Sequence, residues 1–131
     1  MLRYVLQYSG LGDLIGNAVA SANLPIVLVA FIVAALVRIC VGSATVAMTM
    51  AAGIIAAMPG ISELPPLYLA CVVAAVAGGS TVCSHFNDSG FWLVRSLVGV
   101  DEKTNLKTWT IMETLVGFSG FVVAFIISLF V

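Results

Sequence analysis

Charge is what this sequence has least of. Among 131 residues there are five Lys or Arg and six Asp or Glu, 8% together, against about 25% in a typical soluble domain. So few charged side chains cannot solvate a globule of this size, which excludes an ordinary water-soluble domain. The net charge is −1 and no basic run exists, which excludes nucleic acid as a partner. Cysteine is scarce too. Cys40, Cys71 and Cys83 are odd in number and spaced too widely for a zinc pattern; they read as small hydrophobes inside helices. There is no nucleophile elbow and no metal-ligand set, so neither an enzyme nor a bound metal or cofactor is expected. Residues 1–23 lack an unbroken apolar core followed by a small-residue cleavage site, so they do not read as a cleaved signal peptide. Mixed and glycine-containing, they suit an interfacial segment or the remains of a preceding span.

What the chain has in abundance is apolar side chains, 62% of the total. The solvent that accepts such a surface is a lipid bilayer. Residues 24–41, "LPIVLVAFIVAALVRICV", are 18 residues with one charge, near the lower limit for a span. "GSAT" (42–45) interrupts, and "VAMTMAAGIIAAM" (46–58) resumes for only 13 residues. "PGISELPP" (59–66) is a turn, with Pro65 and Pro66 placed for a helix start. "LYLACVVAAVAGGSTVC" leads into the polar stretch "SHFNDSG" (84–90), and "FWLVRSLVGV" is another short arm. "DEKTNLK" (101–107) carries four charges and reads as a water-exposed loop. Residues 108–131 are 24 residues long, enough to cross fully.

Short apolar arms around polar breaks suggest re-entrant or discontinuous helices, which are tolerated at membrane depth only when buried in protein or lining a watery cavity. The expected fold is therefore an all-α membrane protein in four parts. Residues 24–58 form a re-entrant hairpin with its tip at 42–45, and 65–98 form a helix broken within 78–89. Residues 108–131 form one transmembrane helix, and 1–23 stand apart. Two such breaks point to a transporter site. Gly42, Ser43, Thr45, Ser80, Thr81, Ser84, Asn87 and Ser89 are the candidate solute-binding residues, because free helix ends and neutral hydroxyls and amides can hold a hydroxylated anion. His85 and Asp88 are the candidates for proton coupling; Asn87, Asp88 or Ser89 can also cap the following arm. Arg38 is placed to pair with Asp88 or Glu113, to draw an anion inward, or to snorkel. Thr110 and Glu113 match a capping box ahead of an apolar run. Trp92 and Trp109 read as interface anchors. Ser43, Ala47 and Ala51, and likewise Ala52 and Ala56, make small faces suited to close helix packing. Lys103 and Lys107, with Arg95, place 99–107 on the cytoplasmic side and the C-terminus outside.

Three stretches in order, "RICVGSATVAMTMAAGI", "SHFNDSGFW" and "LKTWTIMETLVGFSG", resemble the C-terminal part of the gluconate:proton symporter family, whose members also include carriers of D-serine, idonate and fructuronate. The likeness runs from about Leu11 onward. It implies a multi-pass protein of the cytoplasmic membrane, similar in topology to the ion transporter superfamily with its inverted repeats. The solute would be gluconate or a related sugar acid, moved with a proton past the 43–45 tip and the 84–89 break. Family members are several times longer, and the first repeat is missing here. The expectation is a fragment or truncated form, with the absent N-terminal half or a second copy as a partner beside the lipid. Two other classes remain. A small structural or assembly membrane protein would use the breaks for packing alone. A membrane enzyme would use His85 and Asp88 as an acid–base pair.

Overall fold

The computed structural model describes residues 24–131; the expected segment over 1–23 lies outside them. The described residues are helical and joined by tight turns, with no strand among them. Helix α1 is Ile26–Val41 and α2 is Ala44–Ala56. A short 3-10 turn, Ile61–Glu63, leads to α3, Pro66–Thr81. Helix α4 is Ser89–Val98 and α5 is Glu102–Asn105. A π-type turn, Leu106–Thr110, joins α5 to α6, Ile111–Ser128.

Local chemistry sets most boundaries. Pro66 starts α3 at the position where its missing N–H costs nothing. Gly42 ends α1 in the left-handed region at φ 79°, its N–H bonded to the Arg38 carbonyl at 2.8 Å. Ser43 then caps α2, its hydroxyl accepting from the Val46 N–H at 3.4 Å. Asp88 caps α4 through the Gly90 N–H at 3.0 Å.

α3 is the central helix and packs against α1, α2 and α6. The core consists of small and β-branched residues: Val27, Ala30 and Ala34 from α1, Ala51 from α2, and Cys71, Val72, Ala75 and Val76 from α3. Phe121 and Ala124 complete it from α6. A methyl placed on Gly78 would lie 2.6 Å from the Gly117 carbonyl oxygen, so α3 and α6 touch backbone to backbone. Gly79 meets the Phe31 carbonyl of α1 in the same way. Phe31 stacks on Phe121 with ring centroids 4.2 Å apart.

Among the described residues one helix is long and apolar enough to cross a bilayer, Glu102–Ser128, with 27 residues. At about 1.5 Å per residue it reaches about 40 Å. Helices α1 and α3 have 16 residues, α2 has 13 and α4 has 10. By the same rise none of them exceeds about 24 Å, short of a hydrocarbon core of about 30 Å.

Several expectations are corrected here. Residues 102–107 are helical rather than a loop, with Asp101 extended just before them, and the long helix begins at Glu102, not at 108. Thr110 is no cap, because it sits at φ −61° and ψ −40° inside that helix. The first break is two residues wide, so Thr45 belongs to α2. The second spans 82–88 rather than 78–89, because Gly78, Gly79, Ser80 and Thr81 stay in α3. Ala47 and Ala51 are fully buried as a packing face requires, but Ala52 and Ala56 are exposed and line an apolar groove of about 460 Å³ between α2 and α3. Cys71 is buried, whereas Cys40 is exposed and Cys83 lies in the second break.

Candidate functional site

The two breaks touch. Asn87 packs its backbone carbonyl into the space a side chain on Gly42 would need. The Asn87 amide donates to the carbonyls of Ile39 at 3.1 Å and Cys40 at 3.4 Å. Those carbonyls belong to the last turn of α1, which has no further turn to bond. The second break thus closes the end of the helix leading into the first.

Beneath this contact lies a buried polar layer. Arg38 is 3% exposed. Its Nη1 donates to the Gly42 carbonyl, and its Nη2 pairs with Asp88 Oδ2 at 2.6 Å. Asp88 Oδ2 also accepts from the Ser84 hydroxyl, and Oδ1 accepts from the Gly90 N–H. Ser84 Oγ accepts from Trp109 Nε1 at 2.9 Å, and the Ser84 carbonyl accepts from the Thr110 hydroxyl. Cys83, the one described non-glycine residue with positive φ, at 56°, donates its N–H to Thr114 Oγ1 at 3.0 Å. The left-handed turn is held from outside, by α6. One hydrogen-bonded chain therefore runs from Gly42 through Arg38, Asp88 and Ser84 to Trp109, linking both breaks to the long helix.

His85 lies 2.8 Å through Nδ1 from the Cys83 carbonyl. A carbonyl only accepts, so Nδ1 carries the proton and Nε2 is left for another partner. Above the buried layer, Thr45, Asn87 and Ser89 are exposed and Ser43 is half-buried. They border the N-termini of α2 and α4, whose first N–H groups carry partial positive charge. Asp88 already caps the α4 end and balances the charge of Arg38, which leaves the α2 end, capped by the neutral Ser43, as the uncompensated one.

Of the residues singled out from sequence, Arg38, Gly42, Ser84, Asn87 and Asp88 meet directly, with Ser43, Thr45, His85 and Ser89 around them. Ser80 and Thr81 stand apart. Their hydroxyls donate to Ala77 and Gly78 within α3, both at 2.8 Å, and Ser80 is fully buried. Glu113 sits half-buried on α6. It forms no ion pair with Arg38, whose acidic partner is Asp88. Sequence reasoning missed Thr110 and Thr114 as supports of the second break. It also missed Trp109 as a donor into the buried layer, and Asn105, which is buried and donates to the Phe91 carbonyl at 2.7 Å. A signal was present: Thr110, Glu113, Thr114 and Gly117 recur at helical spacing as a polar or small stripe in an apolar helix. No group of three or more His, Cys, Asp or Glu gathers among the described residues.

Among the described residues, short apolar helices, one helix long enough to span and a polar junction between them are consistent with a membrane protein. The family of GntP permeases matches residues 1–130, and the chain belongs to that family. It is similar to the low-affinity gluconate transporter of Escherichia coli K12, with 44% identity over 96% of this chain and 28% of that protein. The gluconate permease of Pseudomonas aeruginosa is 40% identical over 97% of this chain and 28% of its own length. The Gnt-II system L-idonate transporter of Escherichia coli K12 is 38% identical over 90% and 26%. The chain thus spans little more than a quarter of these relatives. No solved structure matches it.

Proposed function

We propose that this chain is the solute-binding portion of a secondary transporter that moves gluconate or a similar sugar acid, with a proton, across the cytoplasmic membrane. The observation that carries the reading is the meeting of the two breaks, which brings the N-termini of α2 and α4 together with the exposed polar side chains of Thr45, Asn87 and Ser89. The names of the relatives supply the class of solute, and a sugar acid suits the junction chemically. Its carboxylate would face the N-terminus of α2, whose cap is the neutral Ser43. Its hydroxyls would meet Ser43, Thr45, Asn87 and Ser89. Arg38, Gly42, Ser84 and Asp88 would form the layer that holds those groups in place, and Ser80 and Thr81 would serve helix packing.

In this reading α1 and α2 are the arms of a re-entrant hairpin, and α3 and α4 are one discontinuous helix, both buried at membrane depth by neighbouring protein. The remaining wall of the site comes from the part of such a transporter that this chain does not cover, as expected for a multi-pass protein built of two repeats.

The test is uptake of labelled gluconate into proteoliposomes containing the complete gene product, with and without an inward proton gradient. Gradient-dependent accumulation, lost in Asn87→Ala with the protein still folded, is the expected result. An Asn87→Ala protein that loses its fold or oligomer instead would favour a purely structural junction. Cysteine labelling of a Ser43→Cys variant tests the hairpin: reactivity at the aqueous surface of the membrane would reject a re-entrant tip.

A further inference from the structure

Asp88 and His85 are the titratable groups nearest the junction, yet the geometry around Asp88 leaves it little freedom. Three donors already close on its carboxylate: Arg38 Nη2, the Ser84 hydroxyl and the Gly90 N–H. Releasing Asp88 from Arg38 would break one link between the two breaks and leave a buried guanidinium without its acidic partner. Such a group is suited to stay ionised and fixed.

Glu113 is placed differently. It lies on α6 three residues after Thr110, whose hydroxyl holds the Ser84 carbonyl, and four before Gly117, which touches α3. This spacing puts it on the side of the long helix that faces the broken one. It is half-buried, and among the described residues it has neither an ion-pair partner nor a hydrogen bond. The other elements packed on α6 add little charge. α3 carries no Asp, Glu, Lys, Arg or His, and Lys107 on the π-type turn is exposed. Arg95 of α4 is engaged with Glu102 at 2.7 Å. A carboxyl in such a place is costly to keep charged without a partner, and a proton removes that cost.

We propose that Glu113 is the group that takes up and releases the transported proton, while Arg38 and Asp88 remain a fixed ion pair that joins the breaks. This rests on the transport reading above. The step is a simple protonation: the carboxylate gains H⁺ on one side of the membrane and loses it on the other, with no bond made or broken in the solute. Coupling follows from charge. An anionic solute at the junction disfavours a second negative charge nearby, so solute and proton each favour the binding of the other.

The experiment uses the complete gene product in proteoliposomes with labelled gluconate, reading accumulation driven by a pH gradient and gradient-independent counterflow. For Glu113→Gln the expected result is counterflow within about threefold of wild type and loss of the pH-driven component. Accumulation like wild type in Glu113→Gln, or uncoupling in His85→Asn instead, would overturn the inference. Should Glu113→Gln lose both activities, Glu113→Asp decides. A displaced pH profile of uptake supports proton exchange at this position; recovery with the wild-type profile means a structural role and ends the proposal. Absence of counterflow in the wild-type protein itself would strike the transport reading rather than this residue.

Discussion

Gly42-Ser-Ala-Thr45 and Gly78-Gly-Ser-Thr81 are nearly the same in composition and fold in opposite ways. The first breaks the chain: Gly42 turns left-handed and Ser43 goes extended. The second stays inside α3, with its serine and threonine bonded back to their own helix. The difference lies in the neighbours. Beside Gly42, Asn87 fills the side-chain space and closes the last carbonyls of α1. Gly78 and Gly79 are pressed by the backbones of α6 and α1, and that close packing outweighs a helix-propensity cost of roughly 1 kcal/mol per glycine. A tetrapeptide of this kind permits either a break or a tight crossing, and the partner chooses.

The comparison can be broken most severely at Gly42. Gly42→Val should abolish the folded protein, seen as loss of the monodisperse peak in detergent size-exclusion chromatography. Gly60→Ala is its control. It has almost the same φ, 78°, but open space around it, and should cost only about 1 kcal/mol. Equal damage from both would show that backbone strain, not Asn87, makes Gly42 special. Next comes Arg38→Met, which strands Asp88 in the buried layer and should cost about 3–5 kcal/mol in thermal unfolding. The double variant Arg38→Met, Asp88→Asn should lose less than the two single losses combined.

The second tetrapeptide is tested by Gly78→Ala. Helix propensity alone would stabilise by roughly 1 kcal/mol. Contact with the Gly117 carbonyl should reverse the sign, to a net loss of about 1–3 kcal/mol from overpacking. A stabilised protein would mean the helices separate freely here. Trp109→Phe removes one hydrogen bond to Ser84 and should cost about 1 kcal/mol, visible as a small drop in melting temperature. The smallest effect is expected at Glu102→Gln. Its partner Arg95 is 38% exposed, and a solvated pair contributes about 0–1 kcal/mol.

Much of the site was legible because breaks advertise themselves. A run such as Ser84, His85, Asn87, Asp88 and Ser89 in an apolar chain needs a reason, and capping with ion pairing supplies it. Arg38 could be assigned three fates from sequence; the structure selects the pair with Asp88. Thr110 was misread as a cap, and the bond of Trp109 into the buried layer was missed, because a reading along the chain sees only local partners. Their actual partner, Ser84, is 25 and 26 residues away. The charged run 101–107 looked like a loop because four of its seven residues are charged. Buried Asn105, bonded to the Phe91 carbonyl, ties that stretch to α4.

The sequence by itself determined that this chain belongs in lipid, that it is helical, and that it is interrupted somewhere within 42–45 and within 78–89. These follow from local quantities: charge density, apolar run length, and residues that cap or end a helix. Only the tertiary structure decided that the interruptions touch, that "GGST" crosses α6 instead of breaking α3, and that Asp88 is held while Glu113 has no partner among the described residues. Each of those outcomes is settled by which backbone or side chain arrives from a distant part of the chain, and spacing along the chain does not encode that arrival.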